Sequence, residues 1–149
     1  FYFTRTSLDE KISRISSFLS PEAQEILEQL LSKSDVKIQQ AIKSVANISD
    51  ADAAAILEAM NSSMISETTI AKELMKSFLL FAQQRTELTN DTLSYLQSLS
   101  GSQINLGCIS YIAEYANKMN KKVEILEIAS QWDKNKQGLK IGIEKLLEK

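Results

Sequence analysis

Apolar residues along this chain recur at helical spacing and almost nowhere at strand spacing. Leu8, Ile12, Ile15 and Leu19 form one stripe, and Ala23, Ile26, Leu27, Leu30 and Leu31 form the next. The pattern returns at Ile38, Ala41, Ile42 and Val45, and again at Ala53, Ile56, Leu57 and Met60. Residues three and four apart share a helix face, so each stripe predicts an amphipathic helix with one buried side. The only strand-like run is 139–143, and it is short.

Start signals stand where the stripes need them. Ser7, Ser20, Ser34, Ser49 and Ser66 each precede an apolar stretch and are each followed within two residues by an acid. A serine oxygen there accepts from an orphan N–H of the first turn, and the acid complements the positive end of the helix dipole. Ser7 and Glu10 have capping-box spacing, and Pro21 stands first in its helix, where a missing N–H costs nothing.

The helix expected over 66–88 differs in kind. Ile70, Leu74, Met75, Phe78, Leu79, Leu80, Phe81 and Ala82 cover most of its circumference, as in a helix surrounded by others. A short helix is expected over 90–99, ended by Gly101 as a C′ residue, and another over 103–120 with Ile109, Ile112, Ala113, Ala116 and Met119 in phase. Val123, Leu126, Ile128 and Ala129 lead to Trp132, a polar break follows at 133–138, and Ile143, Leu146 and Leu147 mark a last helix.

The fold class is therefore all-α: one domain over 1–149, a bundle of about seven or eight short helices around the apolar helix 66–88. Cap-to-cap spacings of 13, 14, 15 and 17 residues keep a shallow superhelix as the alternative. The segments 20–30 and 49–60 look like the short helical repeats of magnesium-transporter cytosolic domains and flagellar motor proteins, which build interaction superhelices. Spacing here is longer and less regular.

Composition narrows the function classes. A formal charge of −2 gives no electrostatic case for nucleic acid. Residues 1–100 carry nine basic and thirteen acidic side chains and residues 101–149 eight and six, a bias too small for a footprint. No apolar run is longer than the five residues of 78–82, far short of the roughly 20 residues of a membrane helix. A lone Cys108 excludes an internal disulfide and suits a reducing compartment, so a cytoplasmic location is expected. The chain opens at Phe1 without methionine, so a removed leader and a longer parent protein both stay open. The sequons at Asn47, Asn61 and Asn90 read as coincidence in so serine-rich a chain.

Histidine is absent altogether, which removes the Ser–His and Cys–His nucleophile pairs and histidine-bearing metal sites. No glycine pattern offers a dinucleotide fingerprint or a phosphate loop. Only carboxylates and lysines remain as ionisable tools, and the acids cluster at helix starts, so an enzyme is not expected. Cys108, on an apolar helix face, reads as a small buried hydrophobe rather than a reactive thiol. The lysines at 118, 121, 122, 134, 136 and 140 interleave with Glu124, Glu127 and Asp133 and read as a solvated face.

The most specific local signal is 133–144, which resembles an EF-hand calcium loop. Oxygen-bearing Asp133, Asn135 and Gln137 occupy positions 1, 3 and 5, Gly138 position 6 and Glu144 position 12. By that resemblance the ligands are Asp133, Asn135, Gln137, the Leu139 carbonyl and Glu144, and calcium is the cofactor. Gln137 is longer than the usual ligand, Lys140 replaces an aliphatic residue, and only two acids balance the ion. A polar turn between helices is the favoured reading, with no cofactor.

The function expected is a non-catalytic protein–protein interaction module or small scaffold, an adaptor binding another protein or itself, with no nucleic acid and no membrane insertion. Tyr111, Tyr115 and Trp132 are its candidate contact residues, because such rings carry much interface energy. The alternatives are a calcium-responsive helical protein using 133–144 and a small-ligand binder or enzyme built from carboxylates and lysines.

Overall fold

Three of the serine caps form as their spacing predicts. Ser20, Ser34 and Ser49 have extended backbones, and their side-chain oxygens accept from Ala23, Lys37 and Asp52 N–H. They open α1 (Pro21–Leu31), α2 (Asp35–Ser44) and α3 (Asp50–Ile65). The Ser20 hydroxyl also donates to the Asp52 carboxylate at 2.9 Å, tying the start of α1 to the first turn of α3. The computed structural model describes residues 19–148; Ser7, its capping-box partner Glu10 and the stripe Leu8, Ile12 and Ile15 lie outside the described residues.

Ser66 departs from expectation. It ends α3 instead of opening the next helix, and its hydroxyl donates to the Ser63 carbonyl. The reason is that Met64 continues the α3 stripe in phase with Met60, and both are buried. The next helix, α4 (Lys72–Ala82), begins only after an extended stretch held by tertiary bonds. Ile70 N–H donates to the Gln103 carbonyl at 2.8 Å, and the Asn105 amide donates to the Ile70 carbonyl at 2.7 Å. Local periodicity carries no trace of those long-range partners. The expected helix over 66–88 is thus shortened at both ends, with a 3₁₀ turn at Thr86–Leu88 beyond it.

Its central place stands. Helix α4 packs against α1, α2 and α3 and against α5 (Thr89–Ser98) and α6 (Ile109–Met119). Met75, Phe78, Phe81 and Ala82 are fully buried. Helix α8 (Leu139–Leu147) lies on both α6 and α7 (Lys122–Trp132), while α5 also reaches α7. Contacts between elements distant in chain order make this a bundle; in a solenoid each unit meets only its neighbours. The run 139–143 is helical, and among the described residues there is no strand.

Gly101 also departs from its expected role. Helix α5 ends at Ser98, and Gly101 opens a 3₁₀ turn, Gly101–Gln103, pressed against the end of α7. A second turn, Leu106–Cys108, precedes α6, so the continuous helix expected over 103–120 starts later. Left-handed residues sit at three helix junctions: Lys33, Asn120 and Gly138, with φ of 63°, 56° and 99°.

Arg85 joins two of the connections. Its guanidinium donates to the carbonyls of Val45 and Ile48 at 3.1 and 2.8 Å, and to the carboxylates of Asp50 and Glu87. One side chain thereby caps two partly buried carbonyls after α2 and holds the α2–α3 connection to the α4–α5 connection.

Candidate functional site

Aromatic rings supply core here, not surface. Trp132 is 1% exposed and donates its indole N–H to the Leu96 carbonyl at 3.2 Å. Tyr115 is fully buried on α6. Neither ring can meet a partner in the folded chain, which corrects the expectation that they form a contact surface. Both lie on the buried stripe of their helix, in phase with Ile112 and Ala116 and with Ile128 and Ala129. Tyr111, one turn before Tyr115, is half-buried. Among the described residues the Tyr115 hydroxyl makes no hydrogen bond of good geometry; it lies beside the Thr89 and Thr92 hydroxyls, which donate to the carbonyls of Thr86 and Leu88. Burial raises the Tyr115 pKa, and the two threonines only partly oppose it.

The segment 133–144 forms a capped helical hairpin. An oxygen of Asp133 accepts from the N–H groups of Leu139 and Lys140 at 3.0 and 3.2 Å, capping α8 from six residues upstream. That role accounts for the acid without an ion. Asn135 and Gln137 are exposed, Leu139 is buried in the first turn of α8, and Glu144 lines the outer seam between α7 and α8 beside Val123 and Leu126. Among the described residues no three acidic or cysteine side chains gather as metal ligands would.

Cys108 is buried, as its place on an apolar face implies, with its thiol 3.7 Å from the Ile70 carbonyl and 3.6 Å from the Asn105 side-chain oxygen. Burial pushes its pKa up, away from the thiolate that a nucleophile needs. Asn61 is also buried, so that sequon has no room for a glycan in this fold.

A groove of about 360 Å³ lies between α1 and α2. Glu22, Glu25 and Gln29 line it from α1, Gln40 and Ser44 from α2, and Asn47 from the following turn. Ile26 and Ile48, both buried, form its floor. A shallower extension adds Glu28 and Lys37. Gln29 and Gln40 face each other across the seam, amide to carbonyl at 3.5 Å. The groove exists because α1 and α2 form a tight hairpin through left-handed Lys33, which brings their polar flanks side by side.

Two carboxylates and four neutral polar groups around an apolar floor, with no lysine or arginine among the described residues that line it, suit a positively charged, hydrogen-bonding guest. Sequence reading does not single these residues out. Glu22 looks like a dipole-compensating acid and Glu25 like an ordinary outward position of α1; only the hairpin geometry sets them beside Gln40 and Asn47.

No described helix is long and apolar enough to cross a membrane. No protein-family model, curated protein or solved structure matches this chain.

Proposed function

We propose that this chain is a non-catalytic protein-interaction module, a small helical scaffold that takes a basic segment of a partner protein in the α1–α2 groove. The observation that carries the reading is the lining: Glu22 and Glu25 with Gln29, Gln40, Ser44 and Asn47 over Ile26 and Ile48. A lysine or arginine side chain laid along it finds carboxylates at its charged end and amide and hydroxyl groups for its backbone, while its methylenes cover the isoleucines. Pockets for small apolar ligands are lined mainly by hydrophobic and aromatic residues, and this one is not.

Titration with a lysine- and arginine-rich peptide, followed residue by residue by NMR, tests the reading. Shifts confined to α1, α2 and the turn after it are expected. The double variant Glu22→Lys, Glu25→Lys weakens binding at least about tenfold, and so does raising salt, because exposed charge pairs are screened. No shifts, or shifts spread evenly over the surface, overturn it.

A further inference from the structure

A second concavity, of about 320 Å³, runs along the outer seam of the α7–α8 hairpin. Val123, Leu126, Glu127 and Ser130 line it from α7, and Lys140 and Glu144 from α8. Val123 is 67% exposed, one of the most exposed large apolar side chains among the described residues. Lys76 pairs with Asp35 and Lys121 with Glu124, and Lys136 donates to the Ile104 carbonyl. Among the described residues no ion pair engages Lys140, Glu127 or Glu144, although they share one seam.

Lys140 and Glu144 are opposite in sign and one turn apart on the same flank of α8, and that order is its own complement. With a two-fold axis between them, Lys140 of one copy meets Glu144 of the other, and the reciprocal pair forms at the same time. Glu127 adds negative charge beside each incoming ammonium, and the exposed Val123 and half-buried Leu126 supply apolar surface. A partner of a single charge sign would set one of these groups against its like. We infer that the α7–α8 face is the pairing surface of a two-fold dimer of this chain, its occupant a second copy. Helices of eleven and nine residues are only about 16 and 14 Å long. The face therefore falls short of the roughly 800 Å² per partner of a standard interface, and the dimer dissociates at micromolar concentration or above.

Sedimentation velocity over about 10 μM to about 1 mM tests it, those concentrations bracketing weak association. The mass is expected to rise toward twice that of one chain. Lys140→Glu and Glu144→Lys each weaken pairing at least about tenfold, whereas an equimolar mixture of the two variants pairs again because both contacts are restored across the heterodimer. Lys43→Glu on α2, which changes the net charge as Lys140→Glu does, leaves pairing intact. Recovery in the mixture shows that the single variants are folded. A chain monomeric at every concentration, or a dimer indifferent to both charge reversals, overturns the inference. Glu22 and Glu25 take no part, so basic-peptide binding by Lys140→Glu stays unchanged and the two readings fail separately.

Discussion

Gly101 lies so close to Trp132 that a Cβ built on it would fall 2.0 Å from the Trp132 carbonyl oxygen. That oxygen already accepts from the N–H groups of Asn135 and Lys136, which turn the chain from α7 into α8. The obstacle is backbone on both sides, so no side chain can swing away to relieve it. Gly101→Ala is expected to cost at least about 2 kcal/mol, the upper part of the overpacking range. Urea denaturation followed by Trp132 fluorescence measures it, and wild-type stability would remove the close approach as an explanation for this glycine.

Arg85→Ala removes the side-chain donor from the Val45 and Ile48 carbonyls, the first of which keeps only the long bond from Ile48 N–H, and the cation from two carboxylates. A loss of about 2–3 kcal/mol is expected, the cost of stranding partly buried polar groups. Arg85→Lys recovers only part, since an ammonium cannot match the four-way fork. Arg85, hydrogen-bonded to Glu87, holds the Glu87 carboxyl below its ordinary pKa. A carboxylate lowered in the fold contributes stability above its unfolded pKa and loses it as pH falls through the folded value. The acid limb of the stability curve should therefore be shallower in Glu87→Gln, measured by thermal melts across the acid range.

Tyr115→Phe is expected to be neutral or to stabilise by up to about 1 kcal/mol, because the buried hydroxyl removed makes no well-formed hydrogen bond among the described residues. It also changes the alkaline limb. Burial raises the Tyr115 pKa, so its contribution is complete below the unfolded tyrosine value and is lost as pH climbs from there through the folded one. The phenylalanine variant should hold its stability further into alkali; a destabilised variant would mean that the hydroxyl has a partner after all.

Ser49→Ala removes a working cap and should cost about 1 kcal/mol, while Ser66→Ala should cost less than about 0.5 kcal/mol. The two serines have the same sequence signature. Equal losses would overturn the boundary between α3 and α4.

That pair shows what the sequence could and could not convey. Caps at Ser20, Ser34 and Ser49, and the buried faces they precede, depend on neighbours within a turn or two and are legible from spacing. The end of α3 and the start of α4 depend on Gln103 and Asn105, more than 30 residues away, which hold Ile70 in an extended stretch. The aromatic residues mislead for a related reason: Tyr115 follows Ile112 by three residues and Trp132 follows Ala129 by three, so helical spacing puts both rings on buried stripes whatever interface energy such rings can carry. The α1–α2 groove was invisible because its two walls are ordinary polar flanks until Lys33 folds them together.

Arg85 has a consequence for the order of events in folding. Its contacts with Val45, Ile48 and Asp50 span 40, 37 and 35 residues of chain. They cannot close until α3 has packed on α4 and both flanking connections have formed. Interactions completed after the rate-limiting step slow departure from the native state and leave the approach to it untouched. A latch of that kind would show in Arg85→Ala as faster unfolding with an unchanged folding rate, the bundle staying shut for a shorter time once formed.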